Sequence, residues 1–274
     1  MKKYIAILPI FILAFLVQSC EEVIDVPLDT EAPRLVIDAG INWYKGTAGD
    51  QQKIKLTTTT GYYNTTVPVV SNATVYIKNS LNTTFDFIEI PGTGEYVCTN
   101  FIPQINETYT LTVISGGQTY TATETLKSVA PIQEVIQKND GGILGEDIEL
   151  RSTFNDPALE ENYYMYRFKY SNRAKVDYYV DEDRFYNGNT FYSITDNDDL
   201  SAGDVVEITH YGISRSSYNY MNILLSVAGS NNGGPFQSPP ATVRGNIVNQ
   251  TNFDNYALGF FRLSEVDTQT YTIQ

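Results

Sequence analysis

Thr108-Tyr109-Thr110-Leu111-Thr112-Val113-Ile114-Ser115-Gly116-Gly117-Gln118-Thr119-Tyr120-Thr121-Ala122-Thr123-Glu124-Thr125-Leu126 is the stretch from which the fold can be read. Its two arms are dense in β-branched and aromatic residues, which fit a pleated, half-buried surface. Gly116-Gly117 between them can adopt the positive φ angles that a tight two-residue turn requires. The pattern predicts a β-hairpin of residues 108–114 with 118–126.

Upstream, the same period-two alternation recurs in Leu35-Val36-Ile37-Asp38-Ala39-Gly40-Ile41, Lys53-Ile54-Lys55-Leu56-Thr57, Thr74-Val75-Tyr76-Ile77-Lys78 and Phe85-Asp86-Phe87-Ile88-Glu89-Ile90, the last closed by a Pro91-Gly92 turn. About seven short strands within roughly 110 residues predict an immunoglobulin-like β-sandwich over residues 34–130. At Ser128-Val129-Ala130-Pro131-Ile132 the alternation stops, and a boundary is expected near residue 130. Residues 20–130 would then fold on their own.

Downstream, strands are expected over 148–154, 162–170, 204–211 and 256–261. In the second of these, Tyr164, Tyr166, Phe168 and Tyr170 share one face, with Arg167 and Lys169 on the other. One segment departs from the β pattern. Tyr218, Met221, Leu225 and Ala228 recur at helical spacing, with Ser216 or Ser217 as N-cap and Gly229 just past the end. The chain is thus expected to be mainly β, an N-terminal immunoglobulin-like β-sandwich followed by a second β-rich domain over 131–274 that carries one short helix near 216–228.

The N-terminus reads as an export signal. Lys2 and Lys3 precede an apolar run from Ile5 to Val17, too short to span a bilayer, and Val17-Gln18-Ser19-Cys20 follows. Residues 1–19 are expected to be a signal peptide, and Cys20 the lipidated first residue of a tether over 20–33. Acyl chains there would hold the protein at a membrane surface. The acidic pair Glu21-Glu22 resembles a signal for transfer to the cell surface.

Without residues 1–19 the chain loses two lysines and no acids, leaving 16 Lys plus Arg against 32 Asp plus Glu. Such a balance argues against a nucleic-acid partner, which requires clustered cations, and against adhesion to anionic headgroups. Of the two cysteines, acylation of Cys20 leaves Cys98 alone, so no internal disulfide is expected and Cys98 reads as a small buried hydrophobe.

Catalytic and metal motifs are sparse. His210 is the one histidine and sits on an expected strand, where a structural or edge role is favoured over a triad. There is no Gly-x-Ser-x-Gly elbow, His-Glu-x-x-His or paired-cysteine pattern. Two acidic clusters, Asp181-Glu182-Asp183 and Asp196-Asn197-Asp198-Asp199 with Asp204, could attract a hard cation. The second fails the EF-hand pattern, with Leu200 at the fifth position and Ser201 at the glycine. No metal and no cofactor is therefore expected. A carboxylate-pair hydrolase has no positive support, because pairs arise by chance among so many acids.

The 21 Tyr, 13 Phe and one Trp are the other resource, since tyrosine gives a binding surface rigid area with a polar tip. Trp43 and Tyr44, after the first strand, and Tyr62 and Tyr63, in an expected loop, are candidate binding residues. A ligand or transporter surface is expected in the second part, where loops 196–204 and 233–240 offer Asp198, Asp199, Asp204 and Phe236.

The order of several short motifs is also informative: Cys20-Glu21-Glu22-Val23-Ile24-Asp25-Val26, Arg34-Leu35-Val36-Ile37-Asp38-Ala39, the hairpin, Asn162-Tyr163-Tyr164, Asp198-Asp199, Gly203-Asp204, Tyr218-x-Tyr220, Phe236-x-Ser238-Pro239-Pro240, Gly245-Asn246-Ile247 and Leu258-Gly259-Phe260-Phe261. Over nearly all of the exported part, the chain resembles the Bacteroidota lipoprotein family called domain of unknown function 4249. That resemblance implies a surface-exposed, non-enzymatic partner of a TonB-dependent outer-membrane transporter, with a small ligand or peptide of unspecified identity, and it carries no catalytic residues. A structural or adhesive surface protein is the alternative, with a carboxylate hydrolase behind it.

Overall fold

The computed structural model describes residues 32–61, 63–142, 144–195, 197–228 and 243–274. The signal peptide, Cys20, Tyr62, Asp196, Gly229 and the 233–240 loop with Phe236 lie outside them. Strands β1 (Leu35–Tyr44), β2 (Gln52–Thr58), β3 (Thr74–Asn79), β4 (Thr84–Ile90), β5 (Glu95–Cys98), β6 (Thr108–Ser115) and β7 (Gln118–Thr125) build the first lobe. Their inward positions alternate as the sequence predicts: Ile37, Ala39 and Ile41 of β1 are sealed from solvent, as are Ile54 and Leu56 of β2. Cys98 is buried in the same core.

Hairpin β6–β7 forms in the expected register, with Gly116 at φ 56° and Gly117 at φ 74°. Strand β4 changes sheet within its length. Its first part pairs with β3 and its last residues with β5, so the ladder folds over into a sandwich. A tyrosine at the start of β6 ties the preceding loop: the Tyr109 hydroxyl donates to the Ile102 carbonyl (2.8 Å) and accepts from the Gln104 amide (3.0 Å). This is the tyrosine corner of immunoglobulin-like sandwiches. Burial pushes the phenol up to about 12. Tyr109→Phe strands both backbone groups and is expected to cost about 1–2 kcal/mol in urea unfolding. An unchanged midpoint would remove the corner from the account.

The second lobe packs two sheets. Strands β8 (Ile132–Gly141), β9 (Asp147–Asn155) and β12 (Thr190–Ile194) form a three-stranded sheet in the order β12-β9-β8. It faces β11 (Val176–Glu182), β10 (Tyr163–Tyr170) and β13 (Val205–Ile213), which continue the large sheet. The predicted aromatic face of β10 is the core here, with Tyr164, Tyr166, Phe168 and Tyr170 all buried.

Helix α1 (Arg215–Val227) confirms the helical segment but begins one residue earlier than predicted. Its N-cap is Ser214, whose side chain accepts from the Ser217 amide, rather than Ser216 or Ser217. The buried Glu124 carboxylate of β7 receives the Ser214 and Ser216 hydroxyls at 2.8 and 2.7 Å, placing a negative charge at the helix's positive end.

After β14 (Val248–Asn249), which pairs with β7, the last strand β15 (Leu258–Thr272) crosses the boundary read at residue 130. Its first half lies parallel to β1 over nine residue pairs, from Val36 opposite Leu258 to Tyr44 opposite Val266. Its second half pairs with β13. Phe261 and Leu263 enter the first-lobe core. The side chain of Asn246 mimics a strand, donating to the Phe261 carbonyl and accepting from the Phe261 amide, each at 2.9 Å. Gly259, at φ 97°, leaves space that a Cβ would take only by lying 2.0 Å from the Ile37 carbonyl oxygen. Residues Pro33–Gln274 therefore form one compact unit.

Candidate functional site

The clearest site lies in the second lobe, where a cleft of about 530 Å³ opens between β11 and β12. That volume suits a small ligand. Its apolar lining is aromatic: Tyr166 from β10, Tyr179 from β11, and Phe191 and Tyr192 from β12. Phe191 stacks face to face on Tyr186, centroids 3.8 Å apart, and Tyr186 meets the edge of Phe154. Carboxylates stand among them: Asp147 and Glu149 from the β8–β9 hairpin, Asp181 of β11, and Asp198 from the loop after β12. Arg151 pairs with Glu149 at 2.5 Å and lies over the Tyr192 ring at 4.8 Å.

Asp181 is held in place by the Glu182 amide at 2.9 Å and the Tyr186 hydroxyl at 3.2 Å. Burial, the larger influence, raises its carboxyl above the usual range. The loop beneath is braced by two further acids. Asp156 accepts from the Tyr164 hydroxyl (2.6 Å) and the Gly188 amide (2.9 Å), and Asp183 from the Asn162 amide (2.8 Å) and the Asn187 side chain (3.0 Å). The Asp181-Glu182-Asp183 cluster thus spends Asp181 and Asp183 on internal hydrogen bonds. Among the described residues no three His, Cys, Asp or Glu side chains gather as metal ligands.

Below the cleft, the Ser193 hydroxyl of β12 bonds His210 Nε2 of β13 at 2.8 Å. Both are buried, His210 completely. Its imidazole lies edge-on to Phe154 and tilted on Tyr166, and burial lowers its pKa to about 3. Among the described residues Nδ1 has no hydrogen-bond partner, so the carboxylate of a Ser-His-Asp triad is missing. The pair bridges the two sheets as a core contact.

The remaining predicted residues separate. Exposed Asp198 lies at the cleft. Asp199 follows on the same loop, its amide bonding the Asn197 side chain at 3.2 Å. Asp204 instead closes a turn through the Ser201 amide (2.9 Å) and approaches the Ser171 hydroxyl. Trp43 packs on the first-lobe core, its indole donating to the Thr47 carbonyl at 3.0 Å. Tyr63 is on an exposed loop. Tyr44 lines a second depression of about 600 Å³ on the outer face of β1 and β2, with Asp38, Gly40, Asn42 and Arg262. A third, of about 580 Å³, runs from these residues under α1.

The acidic, aromatic cleft can hold a cationic or hydroxyl-rich group, through carboxylates and ring faces together. Sequence reasoning missed Tyr179, Asp181, Phe191 and Tyr192 as its lining. The strand pattern marked aromatic faces but held no signal for which rings border a cleft.

Sheet order, the switching strand β4 and the tyrosine corner define a mainly β protein with an immunoglobulin-like N-terminal sandwich and a second β-rich lobe carrying one helix. The chain belongs to the family described as Domain of unknown function (DUF4249), whose model matches residues 21–270. No curated protein matches it. Among solved structures it is similar to a two fibronectin type-III domain segment from chicken tenascin, at 8% identity and TM-score 0.22, covering 66% of this chain and 91% of that one. A DUF4785 family protein from Legionella pneumophila is 9% identical, with TM-score 0.27 and coverage of 65% and 52%. The FN1-FN3 domains of chicken CNTN1 are 13% identical, with TM-score 0.22 and coverage of 66% and 59%.

Proposed function

We propose that this protein is a non-enzymatic ligand-capture lipoprotein, anchored through Cys20 in an outer membrane, exposed at the cell surface and working with a TonB-dependent transporter. The observation that carries the capture role is the second-lobe cleft, where Tyr179, Phe191, Tyr192, Asp181 and Asp198 converge from separate elements. The anchor rests on the basic start, the short apolar run and Ser19-Cys20. A buried histidine with so low a pKa is a poor general base near neutral pH, which supports binding over turnover.

Two measurements test the two halves. Cys20→Ala is expected to abolish labelling by an acyl-chain probe and to leave the membrane fraction or persist as precursor; undiminished label would end the lipoprotein reading. Pull-down of the wild type from solubilised outer membrane is expected to recover a transporter. Asp198→Ala with Tyr192→Ala should cut uptake severalfold at an unchanged melting temperature. Repeated pull-downs without a transporter, or wild-type uptake by the folded double variant, would overturn the capture role.

A further inference from the structure

We propose a second binding site, on the outer face of β1 and β15, for a free amino acid with an apolar side chain. Arg262 would hold the carboxylate, Asp38 the ammonium, and the rings and aliphatic groups beside α1 the side chain. This inference rests on different residues from the second-lobe cleft and does not depend on the capture reading.

Arg262 is the first support. It lies mid-sheet on β15, pointing away from the core that its neighbours Phe261 and Leu263 enter. Its guanidinium donates to the Ser264 hydroxyl at 2.6 Å and the Asn42 side-chain carbonyl at 3.0 Å, and lies 4.9 Å from the centre of the Tyr211 ring. All three partners are neutral, and among the described residues no carboxylate pairs with it within 4.0 Å. A guanidinium has five donors in a planar fork that matches a carboxylate, and two of these are used. Burial lowers its pKa, though an arginine remains charged. A fixed, partly desolvated cation with no carboxylate within ion-pair distance leaves donors of its fork open to an incoming anion.

Gly40 is the second support. It stands directly opposite Arg262 in the parallel ladder, and a Cβ there would come within 3.0 Å of Nη2. Its φ is not positive, so the backbone does not demand glycine. The missing side chain lets the guanidinium lie across the strand.

The surroundings give the ligand its other two features. Asp38, Gly40 and Arg262 border both outer depressions. Asp38 is exposed and shares the lining of the depression beneath α1 with Arg262 and Tyr220. Beside them Phe260 stacks on Tyr220 at 4.7 Å, and Met221 and Leu224 of α1 complete an apolar wall. Cation, anion and apolar wall meet in one place, which is the pattern of an α-amino acid.

Titration calorimetry on the full chain with L-phenylalanine, L-phenylalaninamide and N-acetyl-L-phenylalanine tests this. Phenylalanine is expected to bind at least fivefold more tightly than either blocked form. Arg262→Gln should remove the advantage over the amide, and Asp38→Asn the advantage over the N-acetyl compound. Equal affinity for all three probes, or no binding of phenylalanine, would overturn the site. If Arg262→Gln fails to fold, Asp38→Asn, at an exposed position, decides: an undiminished preference for the free amine overturns the assignment.

Discussion

A fragment of residues 33–130 is expected to show no cooperative thermal unfolding, although the sequence alone suggests an independent sandwich there. The reason is β15. Phe261 and Leu263, together with Ile247 and Ala257, belong to the same core as Ile37, Ile41 and Leu56, and nine residues of β1 lose their parallel partner when it is removed. Truncating one large core side chain costs about 2–5 kcal/mol, and a whole domain is stable by only about 5–15 kcal/mol. Losing Phe261, Leu263 and the ladder together is comparable with that whole margin. Fusing residues 243–274 behind residue 130 through a flexible linker should restore a sigmoidal transition. A cooperative melt of 33–130 alone, at the temperature of the full chain, would show that β15 is dispensable.

The second large effect is on acid stability. His210 has a folded pKa of about 3 because burial disfavours its charged form, whereas an unfolded histidine titrates near 6.5. Below about pH 6.5 the unfolded chain takes the proton and the folded chain does not. Its contribution is therefore complete above about pH 6.5 and falls as the pH drops toward 3, by about 1.4 kcal/mol per unit. Roughly 3 kcal/mol is lost at pH 4. Asp156 and Asp181 act in the opposite sense, because burial raises their carboxyls and protonation on acidification then favours the fold. The measurement is accordingly a comparison with His210→Gln, which keeps a polar partner for Ser193 but does not charge. Urea midpoints of wild type should fall more steeply than those of the variant between pH 6.5 and 4. Parallel profiles would mean that the imidazole is not held neutral.

The hairpin, the aromatic face of β10 and the helix were legible because each is a local pattern, with period two or near 3.6, bounded by turn or cap residues. The pause in alternation at Ser128 to Ile132 falls where the chain runs alongside β15, with the Lys127 carbonyl bonded to the Glu265 amide at 2.8 Å. The return of residues 258–266 to β1 was not legible, because pairing across more than two hundred residues leaves no local trace. In the site, Asp198 stood out as an acid in a loop. Asp181 read as part of an acidic cluster that could attract a hard cation, since nothing in three consecutive acids reveals that Tyr186 folds back to donate to the first.

The parallel pairing of β1 and β15 also bears on how the molecule carries load. Strand β1 begins close to the N-terminal end of the described chain and β15 ends two residues before the last. Tension applied between these ends drags the two strands past each other along their length. Nine residue pairs then resist in shear at once, where a hairpin pulled from its open end would yield one hydrogen bond at a time. A protein tethered by its N-terminal side and tugged from its C-terminal side would thus load this seam in shear.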